Sequence, residues 1–179
     1  MMPKAALAAG LASFSLAACG GPTSDAPAVR ERSEPEVTYA SPPLPSPDTE
    51  GAFWTVGAEP GRLIYGIPGE PVLIALECLQ PDGDLPALRI TRLSPADEGA
   101  GALLALVGNG HIGRLEVDAI DISGRSVWQG SLPAIDDVWE PLIGPRGVSA
   151  TVPGAGLVEL NPSQLPGEFV ENCRSNQEG

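Results

Sequence analysis

From about Ala52 onward the chain is cut into short apolar runs by glycine, proline and their usual turn companions, and this punctuation limits it to short elements. The runs are "FWTV", "RLIYGI", "PVLIALECL", "ALRITRL", "ALLALV", "GRLEVDAI", "SVWQGSL", "WEPLIG", "GVSATVP" and "GLVEL". Between them lie "EPGR", "PGE", "PDGD", "SPADEGAG", "GNGH", "SGR" and "PGAG". Proline removes a backbone donor and glycine costs helix stability, so 22 glycines and 20 prolines leave little room for long helices. Runs of this length bounded by turn chemistry read as strands. One parity of "PVLIALECL" carries Val72, Ile74, Leu76 and Cys78, and Val148, Ala150 and Val152 alternate with Ser149 and Thr151. The expectation for residues 51–179 is a single all-β domain, a small antiparallel sandwich or barrel. Its exception is "NPSQLPGEFVENCR", where Leu165, Phe169, Val170 and Cys173 share one face at helical spacing, with Ser163 as N-cap. A short C-terminal helix is expected there, docked on the sheet.

"VGNGHIG", residues 107–113, contains G-x-G-x-x-G after a strand-like run, the outline of a dinucleotide loop. Such a loop needs a helix immediately afterwards, so that phosphate meets free N–H groups at its start. Here Leu115, Val117 and Ala119 instead alternate with Arg114, Glu116 and Asp118, the period of a strand. Asn109-Gly110 is a strong hairpin dipeptide, because both residues tolerate positive φ. The motif is read as a hairpin turn, and no nucleotide cofactor is expected.

The N-terminus reads "MMPKAALAAGLASFSLAACGG": one cation, Lys4, then an apolar stretch to Ala18 and small residues before Cys19. This is the layout of a secretory signal, too short for a membrane-spanning helix. Leu16-Ala17-Ala18-Cys19 resembles the lipobox of bacterial lipoproteins. The resemblance implies cleavage after residue 18 and acylation of Cys19, including a palmitate-type chain. Two or more acyl chains give the stable anchoring that one cannot. Gly20 stands where an inner-membrane-retained lipoprotein commonly has aspartate, which points to the outer membrane, facing the periplasm. Residues 19–50, rich in Pro, Ser, Ala and acids, then read as a disordered tether with too little apolar surface to fold, Tyr39 being the best candidate for a contact with the domain.

Lipidation of Cys19 would leave Cys78 and Cys173, an even pair in an oxidising compartment, and a disulfide between them is expected. The net charge of −13 becomes −14 once Lys4 is removed, and every remaining cation is arginine. So acidic a chain is repelled by phosphate backbones, which excludes nucleic acid as a partner.

Sites of chemistry are sparse. His111 is the single histidine and lies in a turn, with no nucleophile motif near it. "PDGD", Asp118 and Asp121 lack the ligand order of a calcium loop, so no metal is expected. Asp136, Asp137 and Glu140 flank Trp139 in "AIDDVWEPL" and form the candidate binding surface for a protein or glycan. At least two of Trp54, Trp128 and Trp139 are expected in the core. "SGRSVWQG", residues 123–130, is similar to the Ser-Gly-plus-aromatic motif of lipid-anchored β-barrel inhibitors of C-type lysozyme. Those inhibitors carry a tyrosine after the Ser-Gly and a lysine that enters the lysozyme cleft; this mature chain has neither. The functional expectation is a membrane-anchored, non-enzymatic binding or structural domain. The alternatives are an envelope hydrolase using the acidic cluster, or a lysozyme-type inhibitor.

Overall fold

A computed structural model describes residues 41–80 and 85–175. Nine antiparallel strands form one sheet among these residues: β1 Phe53–Val56, β2 Arg62–Gly66, β3 Ile74–Leu79, β4 Ala87–Pro95, β5 Gly101–Gly108, β6 His111–Ile122, β7 Arg125–Pro133, β8 Val148–Thr151 and β9 Leu157–Leu160. Their order is β1-β2-β3-β4-β7-β6-β5-β8-β9, and the sheet curls into a nearly closed barrel. Nine of the ten apolar runs are strands, as their length and flanks require.

The exception is "WEPLIG". It lies in and just beyond a 3-10 helix, Asp137–Leu142, rather than in a strand. Asp136 caps this turn by accepting the N–H of Val138 at 2.9 Å, and Pro141 inside it has no N–H to give a sheet ladder. The helix fills a gap in the barrel wall. Pairing of β6 with β7 stops at Asp118 and Gln129, and upstream of that point β6 keeps only β5 as a strand partner. Into this opening come Val138, Trp139 and Leu142, all buried. The approach is close enough that a Cβ at Gly113 would collide with the Val138 carbonyl.

The hairpins follow the turn dipeptides. Gly108 pairs with His111 across Asn109 (φ 51°) and Gly110 (φ 87°), both in the left-handed region that a two-residue hairpin loop demands. "VGNGHIG" is therefore a hairpin, as its alternation predicts. The Asn109 side chain then reaches away from the turn, donating to the Pro141 carbonyl at 2.9 Å and accepting from Arg146 N–H at 3.0 Å. Ser123-Gly124 makes the corresponding turn between β6 and β7.

The C-terminal helix, α1, spans Leu165–Ser175, with Ser163 Oγ accepting the Leu165 N–H at 3.2 Å. Its buried face is Pro166, Gly167, Val170 and Cys173, with Phe169 half-buried. Leu165, expected on that face, is instead 39% exposed, because the first turn is seated by Pro166 and Gly167 against Leu142 and Ile143. Cys78 and Cys173 are joined, Cα to Cα 5.7 Å, tying α1 to β3.

Residues 41–50 depart from the tether reading. They lie along the barrel, and with residues 51 and 52 they seal the seam between its first and last strands. Leu44 N–H donates to the Gly154 carbonyl at 2.8 Å, and Ser46 Oγ accepts the Leu157 N–H at 3.0 Å. Asn161 Nδ2 donates to the carbonyls of Thr49 and Ala52 at 2.9 and 2.8 Å. Polar backbone contacts hold this segment, which is why its low apolar content gave no sign of docking. The seam is also bridged directly: Tyr65 on β2 donates its hydroxyl to the Glu159 carbonyl at 2.8 Å and accepts the Asn161 N–H at 2.9 Å. Cys19, Tyr39 and the rest of residues 1–40 lie outside the described residues, as does "PDGD".

Candidate functional site

The acidic cluster and its tryptophan come together, but as a joint rather than a surface. Trp139 is 0% exposed and donates its indole N–H to the Pro133 carbonyl at 3.1 Å. It cannot present a ring to a protein or glycan, and the expectation that it does is corrected. A residue of the 3-10 plug must point inward to close the gap, and the largest side chain fills most volume. Glu140 pairs with Arg174 of α1 at 3.0 Å, and Arg174 Nε also donates to the Ala134 carbonyl at 2.8 Å. Asp136 is occupied as the cap, while Asp137 is exposed. Glu140 thus clasps the plug to α1 and Asp136 caps it, while Asp136 and Asp137 are both exposed. Trp54 and Trp128 are buried as well, so all three tryptophans belong to the interior. Trp128, the aromatic of "SGRSVWQG", thus points away from the Ser123-Gly124 turn surface. His111 is exposed at the start of β6.

A different polar group is buried at the other end of the barrel. Arg92 on β4 is 5% exposed and stands directly opposite Trp128 on β7, so both side chains share the face that carries Ile74. Its guanidinium donates to the carbonyls of Leu73 at 3.1 Å and Ala155 at 3.2 Å, and it makes no ion pair with a carboxylate among the described residues. Burial lowers its pKa to about 10, so it still carries its charge at neutral pH. Ser94 follows inside a bulge where β4 carries extra residues between its pairings at Arg92 and Pro95. Arg92 Nε, Trp128 Nε1 and Ser94 Oγ are all buried without a hydrogen-bond partner among the described residues. Ser94 also lines a cleft of about 310 Å³ whose walls include Leu93, Pro95, Ile122 and Val127, with Arg125 among its lining residues.

The sequence carried a signal for this cluster that hydropathy alone passes over. Leu88, Ile90, Arg92 and Ser94 share one parity of "ALRITRLS", and the first two are core, so Arg92 falls on the inward side.

Comparison of the chain with protein-family models, with curated proteins and with solved structures finds no match.

Proposed function

We propose that the protein is an envelope lipoprotein, anchored through acylated Cys19 in the outer membrane and facing the periplasm, whose β domain acts as a non-catalytic binding or structural module. The lipobox-like Leu16-Ala17-Ala18-Cys19 and the oxidised Cys78–Cys173 pair support the anchor and the compartment. The observation that carries the non-catalytic reading is the engagement of the acidic cluster. Asp136 and Glu140, the carboxylates that a hydrolase reading would need beside Trp139, hold the plug and α1 in place. Residues 20–40 then link the anchor to the barrel, with a reach of at most roughly 70 Å when fully extended.

The test has two parts. Cells fed an alkyne-bearing fatty acid should label the wild-type protein and leave Cys19→Ser unlabelled; equal labelling of both would sink the anchor. The purified protein, with Asp137→Asn and Glu140→Gln variants beside it, should show no carboxylate-dependent turnover of peptidoglycan fragments. Turnover that falls in either variant would establish the hydrolase instead.

A further inference from the structure

From three polar atoms around Arg92 that have no partner among the described residues, we infer that Arg92, Trp128 and Ser94 form a buried binding site for a single oxyanion, a phosphate group, at the end of the barrel that the lead-in segment crosses. Three observations place it there. The register sets Arg92 opposite Trp128 with side chains on one face, and the bulge sets Ser94 two residues along from Arg92. Each residue is more than nine-tenths buried, and each has a donor atom with no acceptor among the described residues. Two of these donors, Nε–H and Nε1–H, cannot act as acceptors, so they cannot satisfy one another. No acceptor for them stands among the described residues, and an anionic oxygen would satisfy both while supplying the counter-charge that no described carboxylate gives the guanidinium.

The surroundings fit this ligand. Both carbonyls that hold the guanidinium belong to connections at this end: Leu73 just before β3, and Ala155 between β8 and β9. Residues 41–46 pass over the same end. Ser41 Oγ donates to Asp97 at 2.7 Å, Leu44 binds Gly154, and the Pro45 carbonyl lies against Gly156, one residue beyond Ala155. Asp97, the nearby carboxylate, is thus occupied by the lead-in rather than by Arg92. Of the three residues only Ser94 lines the neighbouring cleft, where Arg125 adds a second cation.

The indole N–H of Trp128 is the reporter. In ¹H–¹⁵N spectra of the full-length protein, three tryptophan side-chain peaks are expected, with Trp128 assigned from Trp128→Phe. Titration with inorganic phosphate at constant ionic strength should move that peak saturably and leave Trp54 and Trp139 in place. Ser94→Ala should weaken the half-saturation concentration at least tenfold, and Arg92→Lys should abolish the response. If phosphate is silent but phosphatidylglycerol bicelles move the peak and phosphatidylcholine bicelles do not, the oxyanion is a lipid headgroup. A peak unmoved by either probe overturns the proposal and assigns the donors to trapped water. Should Arg92→Lys fail to fold, Ser94→Ala decides: a response equal to that of wild type overturns the site.

Discussion

Tyr65 takes the place of a missing ladder rung. Its hydroxyl both donates and accepts across the seam, to Glu159 and from Asn161, while its ring lies 5.2 Å from that of Trp54. Burial, the largest cause, raises its pKa above the ordinary phenol value. Above about pH 10 the unfolded chain releases this proton and the folded barrel keeps it, so the folded state binds more protons and stability falls as pH rises. Arg92 works the other way. Its folded pKa is about 10, below the ordinary guanidinium value, so from about pH 10 upward the unfolded state binds more protons and stability rises. Tyr65→Phe should therefore cost roughly 1–3 kcal/mol near neutrality, through the two seam groups left without a partner. It should also reduce the alkaline loss of stability and expose the Arg92 contribution. Urea unfolding at pH 7 and above pH 10, with tyrosinate absorbance alongside, checks both; an unchanged midpoint at pH 7 would count against the seam role. Parity put Ile74, the cross-strand partner of Tyr65, on an apolar face, but the sequence reading did not single out Arg92, and hydropathy gives no sign that an inward arginine lacks a carboxylate. Trp139 was misplaced for a related reason: acids on either side made it look wet, although those acids form a cap and a helix clasp.

At the scale of elements, strand length and turn chemistry were legible because both are local. The β5–β6 hairpin follows from Asn109-Gly110 and from alternation over residues 114–119. The 3-10 plug was not seen as such, although a cap residue, Asp136, followed by Pro141 inside the run is a turn signature rather than a strand one. The lead-in was misread because its hold is polar and distant: its partners are Asp97, Gly154, Leu157 and Asn161. Deleting residues 41–50 removes these four hydrogen bonds, at about 1 kcal/mol each and less for the exposed Ser41–Asp97 pair, so the loss should be roughly 2–4 kcal/mol. The expected outcome is a lower urea midpoint and faster hydrogen exchange at the Leu157 amide. Exchange at Leu157 no faster than in the full chain would show that the segment lies on the barrel without holding it. Any version of the domain that begins at Gly51 shares this defect.

For the whole molecule, the disulfide and the barrel closure act on different parts of the chain. Cys78 and Cys173 are 95 residues apart, and loop-closure entropy assigns a link of that span roughly 4–5 kcal/mol. Against a total of about 5–15 kcal/mol for an ordinary domain, reduction should bring the fold close to collapse. A fall in Tm of at least about 10 °C on adding reductant is expected, read by near-ultraviolet circular dichroism. A shift of a degree or two would mean that α1 and the plug hold without the link. The all-β class, the C-terminal helix and the cysteine pairing were all legible at this scale. Closure of the barrel was not, because it depends on which distant edges meet.

The seam also has a temporal meaning. The hydrogen bonds that join residues 46–52 to residues 157–161 span 109 to 112 positions along the chain. During synthesis the lead-in emerges early and waits for the last strand, so β1 and β9 keep bare edges until almost the entire domain exists. Through that interval two copies can exchange lead-ins, since the receiving edge is identical in both. Crowding during biosynthesis, rather than stability once folded, is therefore the condition under which this barrel is most exposed to misassembly.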